Sequence, residues 1–240
     1  MTYCVGLLLN DGMVLLSDTR TNAGLDNIAT YRKMFHFEDP GERMITILTA
    51  GSLSVTQTTI ARLREAVEEG DATPETSVLL APTMLKVAQI VGNTLSAVRR
   101  EIDEKLSMHQ GASATMIVAG QRRGGAMRMF LIYPEGNFIE ATEDTPFLQI
   151  GEHKYGKPIL DRVVKPSTSL ADAQKAVLLS MDSTLRSNLS VGMPLDLCII
   201  RRDECRISNL RRIDAGDKAF SAMSEAWSQA LRDGFTQITL

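Results

Sequence analysis

Apolar residues in the first fifty positions gather in short runs broken by turn formers, and this spacing predicts strands. Tyr3 to Leu9 and Met13 to Ser17 flank Asn10-Asp11-Gly12, and an Asp-Gly pair between two apolar runs predicts a β-hairpin. Lys33 to Phe37 and Arg43 to Thr49 form a second pair around the turn-like Glu38-Asp39-Pro40-Gly41. Within it, Met44, Ile45, Ile47 and Leu48 do not alternate with polar residues, as expected of a strand buried on both faces.

After Gly51 the period changes. Ser54 to Glu69 places Ile60, Leu63 and Val67 at helical spacing, with Ser54 and Gln57 as a candidate capping box. Thr83 to Leu106 carries Met84, Val87, Val91, Leu95, Val98 and Ile102, steps of three and four that predict a long amphipathic helix packed on a sheet. Strands resume at Ala112 to Ala119, Met127 to Tyr133 and Asn137 to Ala141, the last two joined by Pro134-Glu135-Gly136. Helices are predicted over Lys154 to Val163 and Leu170 to Leu185, and a strand pair over Leu195 to Ile200 and Arg206 to Leu210. A last helix, Lys218 to Leu231, aligns Phe220, Met223, Trp227 and Leu231 on one face. Strands, two helices, strands, two helices, strands and a helix, with no linker between them, predict one α+β domain over 1–240. Two antiparallel sheets between helix layers, an αββα sandwich, bury all these faces.

Composition narrows the function. The 240 residues are 44% hydrophobic and carry a formal net charge of −3, without the basic excess of a nucleic-acid binder. The paired arginines at 99/100, 122/123, 201/202 and 211/212 are read as solvated or subunit-contact positions. No run approaches the ~20 apolar residues of a membrane helix. No secretory signal is evident, and Cys4, Cys198 and Cys205 form no CxxC or disulfide framework, so a cytoplasmic location with reduced thiols is expected. His36, His109 and His153 lack metal-ligand spacing, and no cofactor motif is present. No metal or cofactor is expected.

The chemistry starts at Thr2. Removal of Met1, favoured when the next side chain is small, gives one residue both a hydroxyl and an α-amine with a reference pKa of ~7.7–8.0. A hydroxyl beside a general base is the minimum for acyl transfer. In a tight hairpin the end of the second strand returns beside the start of the first, which brings Asp18 next to Thr2. Lys33, opening the next strand, can reach the same place. Its ammonium would lower the pKa of the Thr2 hydroxyl and amine while the carboxylate holds the ammonium. Each of the three also has a plainer reading: an ordinary second residue, a turn cap and an exposed charge.

The pattern T-x5-L-x2-DG-x5-SDTRTN-x-G, then Lys33, then Thr49-Ala50-Gly51-Ser52, resembles proteasome β-type subunits, which are N-terminal nucleophile hydrolases. The stretch from Thr2 to Phe35 is similar to their bacterial branch, Anbu, the ancestral β-subunit. The resemblance runs over the whole chain and is sharpest over residues 2 to 51. It implies Thr2 as nucleophile, its own amine as general base, Asp18 and Lys33 as the activating pair, and the Gly51 N–H as oxyanion donor. It places Thr21 where backbone pairs with a substrate peptide, and Thr49 and Leu53 at the first specificity pocket. Ser190 matches a supporting serine.

There are departures. A Gly-Ser pair of the family is here Gly151-Glu152, and the acid of its acid-x-x-Ser-Gly-Gly is here Ser187. No long propeptide is expected, so that Met1 alone would guard the nucleophile. The leading expectation is a threonine-type hydrolase cleaving peptide or unfolded-protein substrates within a homo-oligomer, an open spiral or ring. A catalytically silent scaffold subunit and a small-molecule amidase are the alternatives.

Overall fold

The computed structural model describes residues 2–22, 28–70, 72–105 and 112–239. Met1, Leu106 and His109 lie outside them. β1 (Tyr3–Leu9) and β2 (Gly12–Asp18) form the predicted hairpin, closing at Leu9 opposite Gly12. A small ribbon follows, β3 (Arg20–Asn22) with β4 (Ile28–Thr30). Next come β5 (Met34–Asp39), β6 (Arg43–Gly51), the helices α1 (Leu53–Glu68) and α2 (Met84–Lys105), and β7 (Ala114–Arg122), β8 (Arg128–Ile132) and β9 (Phe138–Glu140). β10 (Phe147–Gly151), a single 3-10 turn, α3 (Lys157–Val163), α4 (Leu170–Ser187), β11 (Leu195–Arg201), β12 (Asn209–Ile213) and α5 (Lys218–Gln237) complete the chain.

The strands make two five-stranded antiparallel sheets, ordered β5-β6-β7-β8-β9 and β10-β1-β2-β11-β12. Strand side chains alternate between faces, and here both faces are covered. Ile45 and Ile47 of β6, Val118 of β7 and Phe130 of β8 pack with Leu63 of α1 and Val87, Val91 and Leu95 of α2. On the other side, Tyr3, Val5, Leu7, Val14 and Leu16 pack with Leu160 of α3 and Val177 and Met181 of α4. Between the sheets lie Cys4, Met13, Leu15, Met34, Met44, Leu48, Met127, Met129 and Cys198. Flexible thioethers suit the irregular gap between two twisted sheets. The layers run helix, sheet, sheet, helix, the predicted αββα sandwich.

The helices start where their caps allow. Ser169 accepts from the Asp172 N–H (3.1 Å) at α4, and Asp217 from the Phe220 N–H (2.9 Å) at α5. α1 differs from expectation: it begins at Leu53, one residue early, and the Ser54–Gln57 box does not form because Ser52 occupies the N-cap position. The helix predicted from Lys154 splits into the 3-10 turn and α3, with Pro158 in the first turn of α3. β12 begins at Asn209 rather than Arg206, because a turn with Asp203 and Cys205 at positive φ delays it. α5 continues past Leu231 to Gln237, extending the apolar row to Phe235, which is exposed.

α2 reaches its sheet through a backbone contact at the turn between β8 and β9. A Cβ on Gly92 would lie 2.2 Å from the Gly136 carbonyl oxygen. Gly92→Ala is therefore expected to destabilise the fold by about 1–3 kcal/mol through overpacking, read as a lower denaturant midpoint. An unchanged midpoint would mean that the turn moves aside without cost.

Candidate active site

Thr2 is buried where β1 leaves the edge strand β10. Its carbonyl accepts the Glu152 N–H at 2.7 Å. Gly151 stands beside it at φ +79°, and a Cβ there would fall 1.9 Å from the Thr2 carbonyl oxygen. Only glycine fits that conformation and that approach.

Asp18 ends β2 and is fully buried. Its Oδ1 accepts both the Tyr3 N–H at 3.1 Å and the Lys33 ammonium at 2.8 Å, while Oδ2 accepts the Gly192 N–H at 3.2 Å. One carboxylate thus fixes the residue after Thr2, the ammonium, and the loop following α4. Burial pushes the Asp18 carboxyl above its usual range, and the Lys33 ammonium and the two N–H groups pull against it.

Lys33 directly precedes β5, so the ion pair bridges the two sheets. Its ammonium also donates to the Arg20 carbonyl, and its own carbonyl accepts the Thr49 N–H at 2.9 Å. The Thr49 carbonyl in turn lies 3.6 Å from the Cys4 thiol, linking β6 to β1. Gly51 ends β6, exposed and at φ +110°, where a Cβ would meet the Ser113 carbonyl oxygen at 2.3 Å. A left-handed glycine there lets the backbone turn out of the sheet into α1.

Thr2, Asp18, Lys33 and Thr49 are therefore tied together through hydrogen bonds of their own or their neighbours' backbone. Leu53 is half-buried at the first position of α1. Thr21 is half-buried in β3, opposite Ala29. Ser190 sits in the loop after α4, its N–H donating to Asn188 Oδ1 at 2.9 Å. Among the described residues no hydrogen bond joins Ser190 to Thr2 or Asp18; the loop reaches Asp18 through Gly192. Glu152 meets Thr2 through its N–H, and Ser187 ends α4, exposed.

Several supporting residues carried no signal in the sequence. The Tyr3 phenol pairs with Ser180 Oγ and with Gln149 Nε2, each at 2.6 Å, and burial pushes its pKa up to about 12. This neutral anchor on the helix side sets the Tyr3 N–H toward Asp18. Arg20 holds the Leu189 carbonyl at 2.9 Å and packs its guanidinium against Gly192. A basic residue near an acidic one is too common to stand out; only the fold brings it to that loop.

Residues 2–200 match the proteasome subunit family. The chain belongs to the proteasome subunit family. It is similar over its whole length to solved Anbu structures. A Gly-1 mutant of Anbu from Hyphomicrobium sp. strain MC1 is 48% identical, with a TM-score of 0.94 over 100% of this chain and 99% of that one. Anbu (ancestral beta-subunit) from Yersinia bercovieri is 40% identical, with a TM-score of 0.92 over 99% of this chain and 98% of that one. The structure described as a helical assembly of the Anbu complex from Pseudomonas aeruginosa is 43% identical, with a TM-score of 0.93 over 99% and 97%. The likeness to these Anbu proteins spans the whole chain, α5 included.

Proposed function

We propose that this Anbu-type proteasome subunit is a threonine-type hydrolase of peptide bonds, active once Met1 is removed. The observation that carries the reading is the shared Asp18 carboxylate, which joins the residue next to Thr2 and the buried Lys33 ammonium within one hydrogen-bonded cluster. In this reading the Thr2 Oγ1 attacks the carbonyl carbon of the scissile amide and its proton passes to the α-amine of Thr2. The Gly51 N–H receives the oxyanion, a contribution of about 2.7–4 kcal/mol for a preorganised donor. The C–N bond breaks, the leaving amine takes the proton, and an ester on Thr2 remains. Water, deprotonated by the α-amine, hydrolyses that ester.

The Lys33 ammonium lowers the cost of ionising the hydroxyl, and Asp18 holds that ammonium in place at 2.8 Å. The loop of Asn188 to Gly192 supports this centre with the Gly192 N–H on Asp18, Ser187 stands in place of the family pattern's acid, and Ser190 acts through that loop. Thr21 offers strand backbone to an extended substrate, while Thr49 and Leu53 line its first pocket. The domain works in the cytoplasm without a cofactor, in a homo-oligomer that encloses its substrates. Helical assembly of the Pseudomonas aeruginosa relative supports the homo-oligomer.

Intact mass before and after a peptidyl epoxyketone tests the reading. Loss of one Met followed by gain of one probe is expected. A retained Met1, or a processed chain the probe leaves unchanged, would favour a silent scaffold subunit. Glu152 and Ser187, at the two positions where the sequence departs from the family pattern, already point that way.

A further inference from the structure

At the open margin between the two sheets, where β5 faces β12, the surface folds into a cleft of about 250 Å³. Arg32, His36, Asp196, Arg211 and Arg212 line it above the buried Met34. Three guanidiniums thus face one carboxylate. Asp196 is spent on Arg212, which it holds through Nε at 2.8 Å and Nη2 at 2.9 Å. Arg211 is paired outside that group, with Asp217. Arg32 makes no hydrogen bond or ion pair among the described residues. The His36 ring uses Nδ1 on Thr46 Oγ1 at 3.0 Å, which leaves Nε2 as its remaining polar atom.

Three arginines against Asp196 and the Asp217 that pairs with Arg211 leave a charge of +1, carried by Arg32, in a chain whose net charge is −3. The positive field is therefore local, and low-dielectric walls focus such a field. Planar guanidinium forks are the side chains best matched to phosphate and carboxylate oxygens. A volume of about 250 Å³ gives room for one compact anion. Among the described residues that line the cleft, no further arginine or lysine extends the charge.

We propose that this cleft is a binding site for a compact oxyanion of the phosphate type, with Arg32 as its uncommitted ligand and Arg211 and Arg212 as its second side. The site is separate from Thr2 and does not rest on peptidase activity. It lies near the ion-pair cluster, because Arg32 directly precedes Lys33. An anion that holds Arg32 also steadies the chain leading into β5.

Inorganic phosphate titrated into the assembled protein by calorimetry, at ionic strength held constant with chloride, tests this. Saturable binding of one phosphate per protomer is expected, together with a thermal midpoint that rises with phosphate and not with chloride. Arg32→Ala should weaken binding at least about tenfold, with its midpoint in chloride unchanged. Arg123→Ala, at an exposed arginine away from the cleft, should bind as the parent does. Absence of saturable binding, equal binding by Arg32→Ala, or an equal loss in Arg123→Ala would each overturn the assignment.

Discussion

Thr2→Ala is expected to lower peptide turnover by at least about a thousandfold and to abolish labelling by a peptidyl epoxyketone, while the assembled protein keeps its size. The first part follows from the roles proposed for one residue. In that proposal the hydroxyl is the attacking group, and loss of the nucleophile costs a hydrolase most of its rate. The second part follows from how Thr2 is held. Its carbonyl, not its side chain, takes the Glu152 N–H, and Gly151 packs against that same carbonyl. Alanine preserves both contacts. Thr2→Ser, which restores a hydroxyl, should recover labelling. Turnover in purified Thr2→Ala at the parent rate would remove Thr2 from the chemistry, and loss of assembly would assign it a structural role.

The second large effect is expected at Lys33. Lys33→Ala leaves the fully buried Asp18 carboxylate without its ammonium, and breaking a buried pair from one side costs about 3–5 kcal/mol. Turnover should fall with it. The loss should depend on pH in a definite direction. Burial already raises the Asp18 pKa, and without Lys33 it rises further. A carboxyl whose folded pKa exceeds its unfolded value adds most to stability below the unfolded pKa, and that contribution disappears as pH rises through the folded one. The deficit of Lys33→Ala relative to the parent should therefore be large at neutral pH and shrink as the solution is acidified. Asp18→Asn added to Lys33→Ala should recover stability at neutral pH but not activity. Denaturant midpoints across this pH range decide the matter: a deficit that stays constant would mean that the variant loses packing rather than a counter-charge.

Much of this site was legible because its members sit at the ends of strongly patterned elements. The Asp-Gly turn sets the hairpin register, and the register puts Asp18 against the N–H of Tyr3, the residue after Thr2. Lys33 opened a recognisable strand. Ser190, by contrast, rests on a motif alone; it lies in the loop after α4, where Gly192 and not Ser190 makes the contact with Asp18. β10 was missed because five residues between Pro146 and Glu152 are too few to establish a period, and its position beside β1 depends on partners far along the chain. The β3–β4 ribbon is shorter still. The boundaries of β12 and α5 shifted for local reasons: left-handed turn residues delayed the first, and Asp233-Gly234 did not stop the second.

The layer between the sheets has a consequence for the protein's ageing. Met13, Met44 and Met129 are wholly shielded there, beside Cys4 and Cys198. Thioethers turn into sulfoxides when a peroxide reaches them, and here one can do so only when the sandwich parts. Each sulfoxide then keeps a polar oxygen where the sheets must close again. Damage at these positions is thus a cumulative count of past openings, and every event makes the next one easier.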